Sequence, residues 1–305
     1  MTAYRLGVNP CFAVKRWPDP PSWASLCAET LGVDLVEHSL DLVDVHAGRA
    51  GLRAQADAVR EACERHGLSL QSTFTGLAAY SANLLLHPDP DFRDRAETFL
   101  RLAVEFTAAC GAGSFGGHVG AFSVADWADP VRRAALEEEL RERLTELAAY
   151  ARERGLDALM VENLAVAREP STMAGMEALL SQGDDRHVPI QLCLDVGHHC
   201  VVGTTGDERD PYAWARRMGH LAPEVQLQQT DGVGDHHWPF TAATNAQGLI
   251  QADRLLDALD DSGATDIALI LEVIPAFEAD DDEVVQEMAA SVAYWRSALD
   301  EHGRG

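Results

Sequence analysis

The chain has 305 residues, 47% of them hydrophobic, with 49 acidic against 24 basic side chains for a formal charge of -25. Such a surplus repels a phosphate backbone and an anionic bilayer, and no basic cluster offsets it, so neither nucleic acid nor membrane is expected as a partner. No apolar run approaches the ~18 residues of a membrane span and Met1 to Pro10 lacks the layout of a secretory leader, so one cytoplasmic domain over residues 1–305 is expected.

The first strand is predicted over Tyr4 to Asn9, with Lys15 and Trp17 in the loop behind it. A second follows at Val33 to His38, ending in Glu37 and His38. Gly67 stands where a helix should stop, and Leu68 to Phe74 then reads as the third strand. Asp91 to Cys110 repeats leucine and alanine at helical spacing, before a fourth strand at Ala112 to His118 in which Gly116 and Gly117 leave room for a ligand to approach the backbone. Helix Pro130 to Arg154 stops at Gly155, and Asp157 to Asn163 is the fifth strand. Ile190 to Val196, Glu224 to Thr230 and Asp266 to Val273 complete the set, and Asp280 to Glu283 suits the positive end of a last helix. Eight strands alternating with helices predict an α/β fold, the (β/α)8 TIM barrel.

Six scattered cysteines without a Cys-x-x-Cys pair read as buried thiols rather than a zinc site or a disulfide framework. Lys15 is the only lysine, which makes an amine nucleophile an unattractive basis for catalysis.

Four consecutive late strands end in a polar residue after an apolar run: Glu162, Asp195, Gln229 and Glu272. In a barrel these C-terminal strand ends converge on the mouth, where such enzymes keep their active sites. Buried carboxylates brought together there repel one another unless a cation joins them. All-oxygen ligation by Glu162, Asp195, Gln229 and Glu272 favours Mn2+ or Mg2+, with Co2+ able to substitute; Gln228 replaces Gln229 as ligand if the strand register differs by one. His118, at the end of the fourth strand, is a candidate substrate contact, and His236 and His237 lie in a loop placed to cover the site.

Val161-Glu162-Asn163, Leu194-Asp195-Val196-Gly197-His198, Gln229-Thr230-Asp231 and Leu271-Glu272-Val273, in this order, resemble the sugar phosphate isomerase and epimerase superfamily with the xylose isomerase-like TIM barrel. Within it they are most similar to the ketose 3-epimerases and tetrulose-phosphate epimerases. The resemblance implies one divalent metal on Glu162, Asp195, Gln229 and Glu272, proton exchange by Glu162 and Glu272, and substrate contact by His198. It also implies a small sugar or sugar phosphate as partner, and barrels of this kind often assemble as homo-oligomers. The chemistry is consistent: a cation polarising a ketose carbonyl makes the neighbouring proton removable, and two carboxylates on opposite faces of the enediolate give epimerisation. One carboxylate working on a single face would instead interconvert aldose and ketose.

The chain departs from the epimerase pattern in three places. Glutamine stands where the epimerases have histidine, Arg168 stands six residues after Glu162 where they often carry an acid, and Asp235 stands where they carry arginine. Arg168 and Asp235 read either as a salt bridge with its partners exchanged or as a sign that Arg168 grips a substrate phosphate, pointing to a ketose phosphate such as a tetrulose phosphate. The rival assignment is a metal-dependent lyase or dehydratase acting on a keto-sugar or keto-inositol, which begins with the same proton abstraction.

Overall fold

The computed structural model describes residues 2–303. All eight strands fall where the sequence places them: β1 Ala3–Val8, β2 Leu35–Ser39, β3 Ser69–Phe74, β4 Ser114–Gly117, β5 Ala158–Glu162, β6 Ile190–Asp195, β7 Glu224–Leu227 and β8 Asp266–Leu271. They pair in parallel in sequence order and close on themselves, β1 lying against β8 from Ala3–Asp266 to Val8–Leu271. The molecule is therefore a (β/α)8 barrel.

Successive strand residues face opposite sides, which divides the sequence into two interiors. Leu159, Val161, Leu192, Leu194, Val225, Leu227, Leu269 and Leu271 point outward into the seam between barrel and helices. Their alternates Met160, Cys193 and Ile270 fill the barrel itself. The same parity sends the next inward residues, Glu162, Asp195 and Glu272, to the mouth.

Helices Gly48–His66, Pro90–Cys110, Pro130–Glu153, Ala252–Asp261 and Asp281–His302 pack around this core. Gly67 and Gly155 take φ of 70° and 84°, a left-handed conformation that ends each preceding helix without a Cβ clash. Asp280 caps the last helix by accepting from the Asp282 and Glu283 amides, as its acidic start suggested. Among the described residues no helix is long and apolar enough to cross a membrane.

Candidate active site

Glu162 closes β5, Asp195 closes β6 and Glu272 follows β8; they are 1%, 0% and 7% exposed, and a ligand atom from each lies within 4.8 Å of the others. Burial raises the Glu272 carboxyl well above its ordinary range, and Glu162, Glu37 and Asp195 reinforce the shift. Burial raises Asp195 as well, although His198 and His237 pull the other way. Three buried oxygen-donor acids packed this closely, with Glu272 and Asp195 pushed toward the neutral form, fit a hard divalent ion, whose charge would offset that push.

The fourth ligand expected from the sequence requires correction. Gln229 faces the helix layer: its Nε2 donates to Asn245 Oδ1 at 2.9 Å and the Ile250 carbonyl at 3.0 Å, while its Oε1 accepts from the Thr230 and Ile250 amides. Gln228 faces the barrel instead, its Nε2 lying 3.1 and 3.2 Å from the two Asp195 oxygens and 2.9 Å from Asp235 Oδ1. Its Oε1 accepts from the His237 amide at 2.7 Å, so as placed it supports Asp195 as a donor. The cause is strand parity: Val225 and Leu227 face outward, so Gln226 and Gln228 face in.

Arg168 is also displaced from its expected role. Its Nη1 donates to the Phe122 carbonyl at 2.6 Å, and it is not among the residues lining the cavity above the carboxylates. The exchanged salt bridge does not form either, because Asp235 sits 3.3 Å from His198 Nε2 and 3.1 Å from His237 Nε2. Burial disfavours the Asp235 charge, but the two imidazoles hold its carboxyl far below its usual range.

His118 and His198 do reach the site. His118 Nε2 is 3.1 Å from Glu162 Oε2, and its Nδ1 is 2.9 Å from the Thr75 hydroxyl. His198 Nδ1 lies 3.3 Å from Glu162 Oε1 and 2.8 Å from the Asn163 carbonyl. Burial opposes a charged His198, yet Asp195, Asp235 and Glu162 together raise it well above a normal histidine. His199 points away and packs against Trp214. Gly116 and Gly117 serve protein packing and not ligand approach: a Cβ on the first would meet the Phe74 ring and on the second the Thr75 side chain.

His236 and His237 line a cavity of about 310 Å³ with Cys11, Tyr80, His118 and the two glutamates. His237 adopts φ of 47° and places Nδ1 3.6 Å from Glu272 Oε2. The loop carrying it is pinched at its neck, where Gln229 and Trp238 exchange two backbone hydrogen bonds of 2.9 and 3.1 Å.

Tyr80 and Glu169 lay outside the sequence reading, and Asn163 and Glu37, named there only as strand-end residues, turn out to have specific partners. Tyr80, at the end of the short helix Leu77–Tyr80 after β3, has its ring centroid 4.8 Å from that of His118. Glu169, directly after Arg168, is pushed up to about 7 by burial, against the Val166 amide and the His118 and His198 charges. Asn163 and Asp195 bind reciprocally through side chain and backbone, 2.9 Å each way, locking the ends of β5 and β6 together. Beneath the site, Glu37 on β2 accepts from Asn9 at 2.7 Å and Gln226 at 3.0 Å, and Glu224 accepts from Ser72.

The family model described as the xylose isomerase-like TIM barrel matches residues 26–297. D-erythrulose 1-phosphate 3-epimerase of Brucella abortus (strain 2308) is 28% identical over 302 residues, 98% of this chain and 97% of that protein. A solved structure of a candidate xylose isomerase from Rhodospirillum rubrum superposes with a TM-score of 0.89 at 35% identity, covering 97% of this chain and 99% of that one. D-psicose 3-epimerase of Clostridium cellulolyticum H10, solved with D-tagatose, gives 0.69 at 16% identity over 97% and 99% of the two chains, a likeness of fold alone.

Proposed function

Since the chain belongs to the xylose isomerase-like TIM barrel family, we propose that it is a divalent-metal-dependent ketose epimerase whose substrate is a small ketose phosphate of tetrulose size. The observation that carries this reading is the buried trio Glu162, Asp195 and Glu272, two of which, Glu162 and Glu272, line a cavity together with four histidines. A divalent ion held by these three, with Gln228 beside them, would be Mn2+ or Mg2+ and would supply the polarisation that makes a carbon-bound proton removable.

The chain's own residues do the rest. Glu162 and Glu272 reach the mouth from strands three places apart around the barrel, so each meets a planar enediolate from its own side. One removes the proton and the other returns it, which inverts the carbon. His118 and His198 bracket Glu162 and are placed to hold substrate hydroxyls while steadying that carboxylate. His237 stands beside Glu272 in the same way. The phosphate is supported by the Brucella relative; His236 and His237 line the cavity and can donate hydrogen bonds to the phosphate, and Arg168 has no part in the reading.

Proton NMR of the manganese-loaded protein in heavy water tests the proposal against a panel of free and phosphorylated ketoses. Deuterium entering beside the carbonyl with an inverted product from a tetrulose phosphate is the expected result. Exchange with free sugars alone refutes the phosphate, and loss of water from a keto-sugar favours a dehydratase.

A further inference from the structure

We infer that Asn9, braced by Glu37, is a positioning residue that fixes the orientation of Glu272, an inference that rests on the metal site proposed above. Asn9 is 1% exposed and directly follows β1. Its Nδ2 donates to Glu37 Oε1 at 2.7 Å and to Glu272 Oε1 at 3.2 Å, while its Oδ1 accepts from the Cys11 amide at 2.9 Å. The carboxamide therefore has one workable orientation, because turning it over would set its oxygen against two carboxylates and its NH2 against an amide N–H. The same Glu37 Oε1 also accepts from Gln226 Nε2 at 3.0 Å, so the brace is anchored on two strands of the barrel.

The two glutamates are consequently supported by different chemistry. Glu162 has imidazoles against both oxygens, whereas Glu272 has an amide on Oε1 and only His237 within 3.6 Å of Oε2. Asn9 takes one lone pair of Oε1 and so fixes the plane of the carboxylate, which leaves Oε2 and the second lone pair of Oε1 for a cation or a substrate proton. Partners behind a metal ligand typically govern affinity or activity by about 10–100-fold. A purely structural role is also available to Asn9, as the cap of the short turn Pro10–Ala13, and that role involves Oδ1 alone.

The test is manganese affinity of the stripped, sugar-free protein, measured by competition with a chelating dye, together with kcat, KM and melting temperature. For Asn9→Ala the manganese dissociation constant rises about 10-fold and kcat falls at least as far, with KM little changed. Glu37→Met should follow Asn9→Ala, while Glu37→Gln, which keeps an oxygen to accept from Asn9, should recover most of the affinity. This pair reads the brace even if Asn9→Ala fails to fold. A well-folded Asn9→Ala that binds manganese like the wild type overturns the inference, and so does a Glu37→Gln no better than Glu37→Met. If the wild type itself binds no manganese, the metal reading falls and takes this inference with it.

Discussion

Replacing Gln229 by alanine should damage the fold and spare the metal. The side chain is fully buried and makes four hydrogen bonds: to Asn245 and the Ile250 carbonyl through its NH2, and from the Thr230 and Ile250 amides through its oxygen. Its removal strands two amides and a carbonyl in a region where Thr230 and Ile250 are themselves 2% and 1% exposed. At about 1–3 kcal/mol for each stranded group, partly relieved by water entering the space, the expected loss is ~3–5 kcal/mol. A chain of 305 residues has an unfolding entropy of roughly 0.6 kcal/mol/K, so the melting temperature should fall by about 5–8 °C. The assay is thermal unfolding of metal-free protein, so that ligand binding adds nothing to the stability, with a separate manganese titration. Gln228→Ala should differ in losing about 10-fold or more in manganese affinity, because it removes the donor beside Asp195. Weakened metal binding by Gln229→Ala at an unchanged melting temperature would refute this account of β7.

Glu162→Gln and Glu272→Gln should each abolish deuterium exchange beside the ketose carbonyl while circular dichroism stays that of the wild type; near-normal turnover by either variant sinks the two-base scheme. Arg168→Ala should change KM by less than about 3-fold for free and phosphorylated ketoses alike, since its guanidinium is bound to the Phe122 carbonyl and a large rise confined to phosphates would reinstate it as an anion site. Glu169 is held near 7, so between about 4.5 and 7 the unfolded chain releases this proton while the folded chain retains it, and the stability the group contributes is lost as pH rises through that window. Glu169→Gln should therefore gain on the wild type by on the order of 2–3 kcal/mol between pH 4.5 and 8, read from urea midpoints; a pH-independent difference would contradict the burial argument. Stripping divalent ions should stop exchange and lower the melting temperature, both restored by manganese, and full activity in excess chelator would exclude the metal.

The barrel was legible because alternation is a local property. Each strand carries its apolar residues in the right parity within four to six positions, and Gly67 and Gly155 mark helix ends by conformational necessity. The acids at the mouth were legible for the same reason, as polar residues two positions beyond inward apolar ones. That rule also decides between Gln228 and Gln229: once Val225 and Leu227 are assigned to the seam, Gln229 must follow them outward. Arg168 misled because its spacing from Glu162 describes a loop, and loop residues have no fixed period; one position on, Glu169 is the side chain whose ionised form the His118 and His198 charges favour. Asn9, Glu37 and Gln226 were illegible as a group, since they meet only when β1, β2 and β7 face one another across the closed barrel.

The pinched neck at Gln229 and Trp238 bears on how this site could diversify. Residues 230–237 leave and rejoin the barrel at one backbone-paired point, and inside it Asp235 and His237 tie back to Gln228, His198 and Glu272. The free stretch is therefore the tip, Asp231 to Gly234, where length and charge can change without touching those ties. The base of the loop is a strut and its tip a rim, so variation at the cavity entrance is separable from the setting of the acids.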